Sequence, residues 1–382
     1  MRIGYLTYGL DRAPTGIGRY AIDVLQAMAT LPNAPELVLL TTEREDRHGL
    51  WDTFEHYPLP SCRLLPALMT LGNILLTDAA KRYKLDLIHD PNGIAPFLGP
   101  SGGARRVVTI HDACAYVYPE THNRLDNWRY RRMLPQAARR ADLVLTDSEH
   151  SRCDLERYLV GPSTPVQVIP CGVNTQFAPQ ADETRRRIVL ERYGISQPYL
   201  LYLGGINARK NISRLFEAYA LLRASHPHIR LVVGGQRQWQ TAEMDATFER
   251  LGLAPFVDFT GYVENADLPA LYSCAEAFVF PSLYEGFGLP PLEAMACDTP
   301  VITSRSSSLP EVVGDAALLV DPYDVAELAS AIAQVLDDPA LRASLRQRGH
   351  RRVAQFTWQH TARETITAYK RALSKEVLSV EC

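Results

Sequence analysis

The sequence contains no Asp-x-Asp pair and no His-Glu-x-x-His run. That removes two familiar ways of holding a divalent ion, one against a phosphate and the other at a hydrolytic centre. Its seven cysteines, Cys62, Cys114, Cys153, Cys171, Cys274, Cys297 and Cys382, are odd in number, scattered, and never spaced Cys-x-x-Cys. Neither a disulfide framework nor a zinc site is expected, and a reducing compartment fits. The most apolar run, Leu64 to Leu76, is interrupted by Pro66, Gly72 and Asn73, and it falls short of the ~20 residues that a membrane-spanning helix needs. The first six residues, Met1 to Leu6, read as a strand and lack the layout of a signal peptide, so a cytoplasmic protein is expected. Strong charge of one sign is missing too: with a formal net charge of -3, nucleic acid is not an expected partner, and any anionic ligand must be met by local charge.

What is present is ordinary globular usage, with 46% hydrophobic and 22% charged residues in a chain of 382. That length suits two domains of common size. Short aliphatic runs alternate with segments of helical period, the pattern of βαβ units and parallel sheets. The first half offers Ile3 to Thr7, Leu37 to Thr41, Leu85 to His89, Val107 to His111, Leu143 to Thr146 and Val166 to Ile169. The second offers Leu200 to Leu203, Leu231 to Val233, Val257 to Thr260, Phe278 to Phe280, Val301 to Thr303 and Leu318 to Val320. The turn-rich stretch from Pro170 to Asp182 reads as the hinge. Each half opens with a strand, a glycine-containing loop and an amphipathic helix, over Gly18 to Ala29 and Asn211 to Arg223. Near the C-terminus, Asp324 with Glu327 is a capping-box start for a helix over Val325 to Leu336, and more helix follows from Pro339 and after Trp358. The expected fold class is α/β with two Rossmann-like domains. The expected bounds are 1–172, completed by 359–382, and 173–358.

The most informative stretch runs from Phe280 through Pro281-Ser282-Leu283-Tyr284-Glu285-Gly286-Phe287-Gly288-Leu289-Pro290-Pro291-Leu292-Glu293 to Ala296. A strand ends at Phe280, a glycine loop follows, and two prolines sit where the first turn of a helix tolerates them. Amide N–H groups at such a helix start suit a diphosphate or sugar hydroxyls. Glu285 and Glu293, eight residues apart, are both able to face the same pocket. The plainer alternative is an ordinary loop, with Glu293 favoured by the helix dipole.

Glu-x7-Glu in the setting Ser-x-Tyr-Glu-Gly-Phe-Gly-Leu-Pro-x-Leu-Glu-Ala-Met-Ala resembles the signature of the retaining glycosyltransferases of family 4, which have the GT-B fold. The resemblance implies two Rossmann-like domains facing a central cleft, with the C-terminal helix crossing back to the first. It implies that Glu285 and the amides of Gly286, Phe287, Gly288 and Leu289 meet the donor, and that Glu293 binds ribose. Gly16-Ile17-Gly18-Arg19-Tyr20 is similar to the family's N-terminal glycine-rich loop, near donor phosphate and acceptor. His111, before Asp112, matches the family's histidine beside the donor sugar. In Leu203-Gly204-Gly205-Ile206-Asn207-Ala208-Arg209-Lys210-Asn211, Lys210 matches the diphosphate lysine. Many members carry arginine after the first glycine, where this chain has Gly205. Arg209 is therefore expected to supply that charge. Leu309-Pro310-Glu311-Val312-Val313-Gly314-Asp315, with Asp321-Pro322, resembles the supporting stretch behind the nucleotide site.

These matches imply a metal-independent hexosyltransferase with no cofactor, in which His111, Lys210 and Glu285 form the catalytic set. The family's usual proposal is a front-face displacement in which the departing phosphate oxygen takes the acceptor's proton. The donor is expected to be a nucleotide diphosphate sugar with a lean to GDP-mannose. The acceptor is expected to be a glycan or lipid-linked glycan of surface polysaccharide synthesis. UDP-glucose, other UDP-sugars and deoxy sugars stay open, as does a non-catalytic sugar-nucleotide binding protein. Gly16 to Ala21 also fits the dinucleotide pattern of an NAD-dependent oxidoreductase, but that pattern should follow its strand at once, and Tyr8 to Thr15 intervene. Finally, Arg124, Arg129, Arg131, Arg132, Arg139 and Arg140 lie among Leu125, Trp128, Tyr130, Met133 and Leu134. Two readings of that segment stay open, a contact with anionic lipid or a lipid-linked pyrophosphate and a plain solvated helix face.

Overall fold

The computed structural model describes residues 1–11, 16–59, 65–95, 97–119, 124–161, 163–237 and 241–374. Cys62, Leu64 and Cys382, and the side chains of Pro66, Arg124, Leu125 and Arg129, lie outside the described set. The chain divides into two compact units. The first comprises Met1–Val117, Arg124–Gly172 and Trp358–Cys382, and the second Tyr118–Asn123 and Val173–Thr357. The expected first domain ran unbroken to 172. Tyr118 groups instead with the second unit, where its ring lies 5.7 Å from that of Tyr284.

The first unit is built on seven parallel strands: β1 Arg2–Thr7, β2 Glu36–Thr41, β3 Glu55–Pro58, β4 Leu87–Asp90, β5 Arg105–Thr109, β6 Leu143–Thr146 and β7 Val166–Val168. Their order in the sheet is β3-β2-β1-β4-β5-β6-β7. Central strands such as β4 and β6 are buried along their whole length, as expected of a parallel sheet covered on both faces. β3 has no counterpart in the sequence reading. Glu-His-Tyr-Pro at an exposed sheet edge carries neither alternation nor an apolar run, so it gives no strand signal.

The helix Trp358–Ser374 belongs to this unit, as the fold expectation required. Its Tyr369 hydroxyl reaches Nδ1 of the buried His89 at 2.6 Å, and its Thr361 hydroxyl donates to the Pro170 carbonyl at 2.7 Å. Just beyond Pro170, Val173 N–H donates to the Phe356 carbonyl at 3.0 Å inside the second unit. Apart from the short excursion over Tyr118–Asn123, the chain changes unit between Gly172 and Val173, and again between Thr357 and Trp358.

The second unit has six parallel strands: β8 Tyr199–Leu203, β9 Arg230–Gly234, β10 Val257–Gly261, β11 Ala277–Phe280, β12 Val301–Ser304 and β13 Ala317–Val320. Their order is β10-β9-β8-β11-β12-β13, so the strand order reverses between β8 and β11, where open α/β sheets bind their ligands. The loops after β8 and β9 touch there. A β-carbon at Gly235 would stand 1.9 Å from the Gly204 carbonyl oxygen, so only glycine fits. Further on, the Asp324 carboxylate caps the helix Val325–Asp337 by accepting from Glu327 N at 2.9 Å. The reciprocal half of the expected capping box is redirected, because the Glu327 carboxylate accepts from Asp321 N at 2.8 Å.

Candidate functional site

In the second unit the expected residues converge at the carboxyl ends of β8 and β11. After β8 the chain turns through a short 3-10 segment, Ala208–Lys210, into Asn211, whose φ of 60° is left-handed. Asn211 holds this shape by donating from Nδ2 to the Pro281 carbonyl at 3.0 Å and the Pro322 carbonyl at 2.7 Å. Leu283 N donates to the Arg209 carbonyl at 2.8 Å, which stitches the β8 loop to the β11 loop. This scaffold aims two cations at one carboxylate. Lys210 Nζ lies 2.5 Å from Glu285 Oε1, and Arg209 Nη1 lies 2.8 Å from Glu285 Oε2. Ser282 Oγ donates to the same Oε1, and the Lys210 ammonium also sits 4.9 Å over the Phe280 ring. Arg209 bonds the Tyr284 carbonyl as well.

Burial alone pushes the Glu285 carboxyl up, but Arg209, then Lys210 and Ser282, overcome it and hold the pKa down to about 2. The stabilisation from this cluster is therefore present above the unfolded value of 4.5 and is lost as pH falls toward about 2.

The backbone from Glu285 to Phe287 is pinned from the loop that follows β12. Ser307 Oγ accepts from Glu285 N at 2.9 Å, and Ser308 Oγ lies 2.9 and 2.7 Å from the carbonyls of Glu285 and Phe287. Gly288, with φ of 115°, starts the helix Leu289–Ala296, and a β-carbon there would press on Leu309 at 2.8 Å. The N–H groups of Phe287, Gly288 and Leu289 donate to no described residue. The next two residues, Pro290 and Pro291, have no N–H to offer. The donors of this helix start are thus concentrated at the loop, a local arrangement that suits oxyanions or hydroxyls. Glu293 lies deeper on the same helix, 7% exposed, and its Oε2 accepts from the Tyr272 hydroxyl at 3.0 Å. Arg209 also lines a cavity of about 370 Å³ together with Asn207, Arg214, Thr241, Glu243 and Tyr323.

Three expected residues lie in the first unit. Gly16 and Gly18 fall in the opening turn of the helix Gly16–Ala29 rather than in a loop; 12–15, just before it, are outside the described residues. Tyr20 of that helix packs edge-on against His111, with ring centroids 4.8 Å apart. His111 stands two residues beyond β5, with Nδ1 2.6 Å from Asp147 Oδ2 and Nε2 3.0 Å from the Pro91 carbonyl oxygen.

The sequence reading did not find Asp147, Ser307, Ser308 or Tyr272. Asp147 had a usable signal, an acidic residue directly after the apolar run Leu143 to Thr146, as Asp112 directly follows the run Val107 to His111. Glu43, the acidic residue that a dinucleotide site would need near the end of β2, is occupied otherwise. It accepts from Thr7 Oγ1 at 2.8 Å, Thr42 N at 3.0 Å and Leu10 N at 3.2 Å. Among the described residues, no three His, Cys, Asp or Glu side chains cluster to hold a metal ion, and no helix is long and apolar enough to cross a membrane.

Comparison with known proteins places these features. Residues 14–177 match the family model "Glycosyltransferase Family 4", and residues 191–352 match "Glycosyl transferases group 1". The chain is 34% identical to the O-antigen chain mannosyltransferase B of Escherichia coli, over 97% of this chain and 100% of that protein. It is 33% identical, over 70% of each chain, to a GDP-mannose-dependent alpha-(1-6)-phosphatidylinositol monomannoside mannosyltransferase of Mycolicibacterium smegmatis. In fold it is similar to the sucrose-phosphate synthase of Thermosynechococcus elongatus, with a TM-score of 0.79 at 24% identity, over 98% of this chain and 100% of that one. With both halves matched in order and a relative aligned from end to end, the chain is a GT-B hexosyltransferase that belongs to glycosyltransferase family 4.

Proposed function

We propose that this enzyme transfers mannose from GDP-mannose, with retention and without a metal ion, to a glycan or lipid-linked glycan during surface polysaccharide synthesis. The observation that carries the reading is the Lys210–Glu285–Arg209 cluster, followed in the chain by the amides of Phe287, Gly288 and Leu289, which donate to no described residue. Lys210 and Arg209 supply positive charge for the diphosphate, with Gly16 and Gly18 near the phosphate. Glu285 and the amides from Gly286 to Leu289 orient the sugar, Glu293 anchors ribose, and His111 serves the sugar side. The mannosyltransferase relatives favour mannose over the UDP-sugars. In this reading, 1–172 with 359–382 serves the acceptor and 173–358 holds the donor.

Thermal stabilisation by a panel of GDP, UDP, ADP, their sugar conjugates and NAD, in buffer without divalent metal, tests the donor site. GDP and GDP-mannose are expected to raise Tm most, and Glu293→Ala to abolish the shift. A shift with UDP compounds alone would move the donor to that class, and a shift with NAD alone would overturn the reading.

The same proposal places the enzyme in the cytoplasm, resting on an anionic membrane face through the helix Arg124–Arg140. Trp128 is 64% exposed on that helix, and Arg131, Arg132 and Arg139 follow on its exposed side at spacings of three, four and eleven residues. Leu134, Ala137 and Ala138 are buried. Flotation with vesicles containing phosphatidylglycerol should bring the wild type to the lipid layer and leave Arg131→Glu/Arg132→Glu behind. Equal flotation of the two would remove the membrane contact.

A further inference from the structure

Three adjacent strands of the first sheet, β4, β5 and β6, bring together the residues that follow their carboxyl ends: Pro91, His111 and Asp147. The imidazole of His111 is held at both nitrogens, with Asp147 Oδ2 2.6 Å from Nδ1 and the Pro91 oxygen 3.0 Å from Nε2. Neither partner has a proton to give, because a carbonyl and an ionised carboxylate only accept. Both ring nitrogens must then donate.

A second imidazole nearby makes the contrast. His89, at the core of the same sheet, faces the hydroxyls of Tyr369 at 2.6 Å and Thr109 at 2.8 Å, groups that both donate and accept. Such neighbours suit a neutral ring. Burial, and then the positive charge of His111, push its pKa down to about 3.

We propose that Asp147 is a positioning residue for the transfer, fixing His111 in one orientation with protons on both nitrogens, so that the ring acts as a fixed positive charge and not as a base. This rests on the reading of His111 as a donor-site residue. The other titratable groups facing the ring are Asp112, Tyr20, His89 and Asp90, with the buried thiol of Cys171 beside Asp147. Of these carboxylates only Asp147 bonds the ring. Asp90 is taken up by the amides of Asn92, Ile94 and Ala95, which fixes the loop that presents the Pro91 carbonyl. Ser151 Oγ donates to the His111 carbonyl at 3.0 Å and holds the backbone itself.

Burial alone would lower the His111 pKa, but the charge and hydrogen bond of Asp147, then the Pro91 bond and Asp112, raise it above its ordinary value. The associated stability is full below the unfolded value of 6.5 and is lost as pH climbs through the raised one.

A ring with no lone pair cannot take the acceptor's proton. As the bond from the anomeric carbon to phosphate breaks and the bond to the acceptor oxygen forms, the acceptor's proton passes to the departing phosphate oxygen. With the acceptor's proton accounted for in that way, His111 keeps both of its protons through the step and stays a fixed cation on the sugar side.

Nitrogen-15 NMR of histidine-labelled enzyme tests this, with the His111 signals assigned by their loss in His111→Gln. Wild type near neutral pH should show both His111 nitrogens protonated. Asp147→Asn should lower the His111 titration midpoint by about one unit or more. It should move the alkaline limb of kcat by the same amount and reduce kcat by about 10- to 100-fold, leaving the Kd for the donor within about twofold. A neutral His111 in the wild type overturns the proposal without recourse to any variant. So does an unchanged midpoint in a folded Asp147→Asn. If His111→Gln instead turns over at the wild-type rate, it is the donor-site reading of His111 that fails, while the NMR arm still decides the pairing with Asp147.

Discussion

Glu285→Gln is expected to bind a bare nucleoside diphosphate about tenfold more tightly than the wild type while its kcat falls by about 10²- to 10³-fold. Both halves of this result come from one geometry. The carboxylate neutralises the two cations assigned to the diphosphate, at 2.5 Å from Lys210 and 2.8 Å from Arg209. A diphosphate must compete with it for both. Glutamine keeps the size and a hydrogen bond to Ser282 but removes the charge, so the ligand no longer competes with a carboxylate for the cations. The same change should lower the stability of the free protein, because Lys210 is only 9% exposed and loses its counter-ion. Added GDP should then restore Tm by more than it does in the wild type, since a tighter ligand stabilises the folded state more at equal concentration. Calorimetric titration with GDP, paired with turnover of GDP-mannose, reads both effects. A near-normal rate would remove Glu285 from the catalytic set, and unchanged GDP affinity would mean that the diphosphate does not compete with Glu285 for these cations.

Much of the fold was legible because parallel strands covered on both faces print as short apolar runs. β8, Tyr-Leu-Leu-Tyr-Leu, and β11, Ala-Phe-Val-Phe, are buried at every position. β3 was not legible, since a strand exposed at a sheet edge has no reason to be apolar. The stretch from Glu285 to Glu293 was legible because strand, loop and helix are contiguous there, so its chemistry is compressed into local sequence. Pairing across strands is different. Lys210 and Glu285 meet across a sequence separation of 75, and His111 and Asp147 across one of 36, only because β8 adjoins β11 and β5 adjoins β6. Sequence spacing carries no trace of that adjacency. The glycines at 16 and 18 show the reverse limit: their motif was visible, but whether they lie in a loop or open a helix depends on tertiary packing of the Tyr20 face.

Lys210→Ala should cost the most among the cation substitutions, with kcat reduced by about 10²- to 10³-fold, the loss usual for one fixed donor to developing negative charge. Its position makes it the better placed of the two cations. The 3-10 turn that carries it is closed by Asn211, whose side chain is tied to two carbonyls from other loops, so Nζ approaches Glu285 from a rigid base. Arg209 divides its guanidinium between the Tyr284 carbonyl and Glu285. Removing Lys210 also removes one of the groups that hold the Glu285 carboxyl at about 2, so the acid limb of the rate profile should move to higher pH. Lys210→Arg should not rescue the rate, because a planar fork cannot occupy the space of a compact ammonium set between Phe280 and Glu285. Single-turnover rates across pH, on protein shown to be folded by its thermal transition, separate these outcomes. A folded Lys210→Ala with near-normal turnover would transfer the leaving-group role to Arg209. Full rescue by arginine would show that charge alone, without the fixed geometry of the β8 loop, is what the reaction requires.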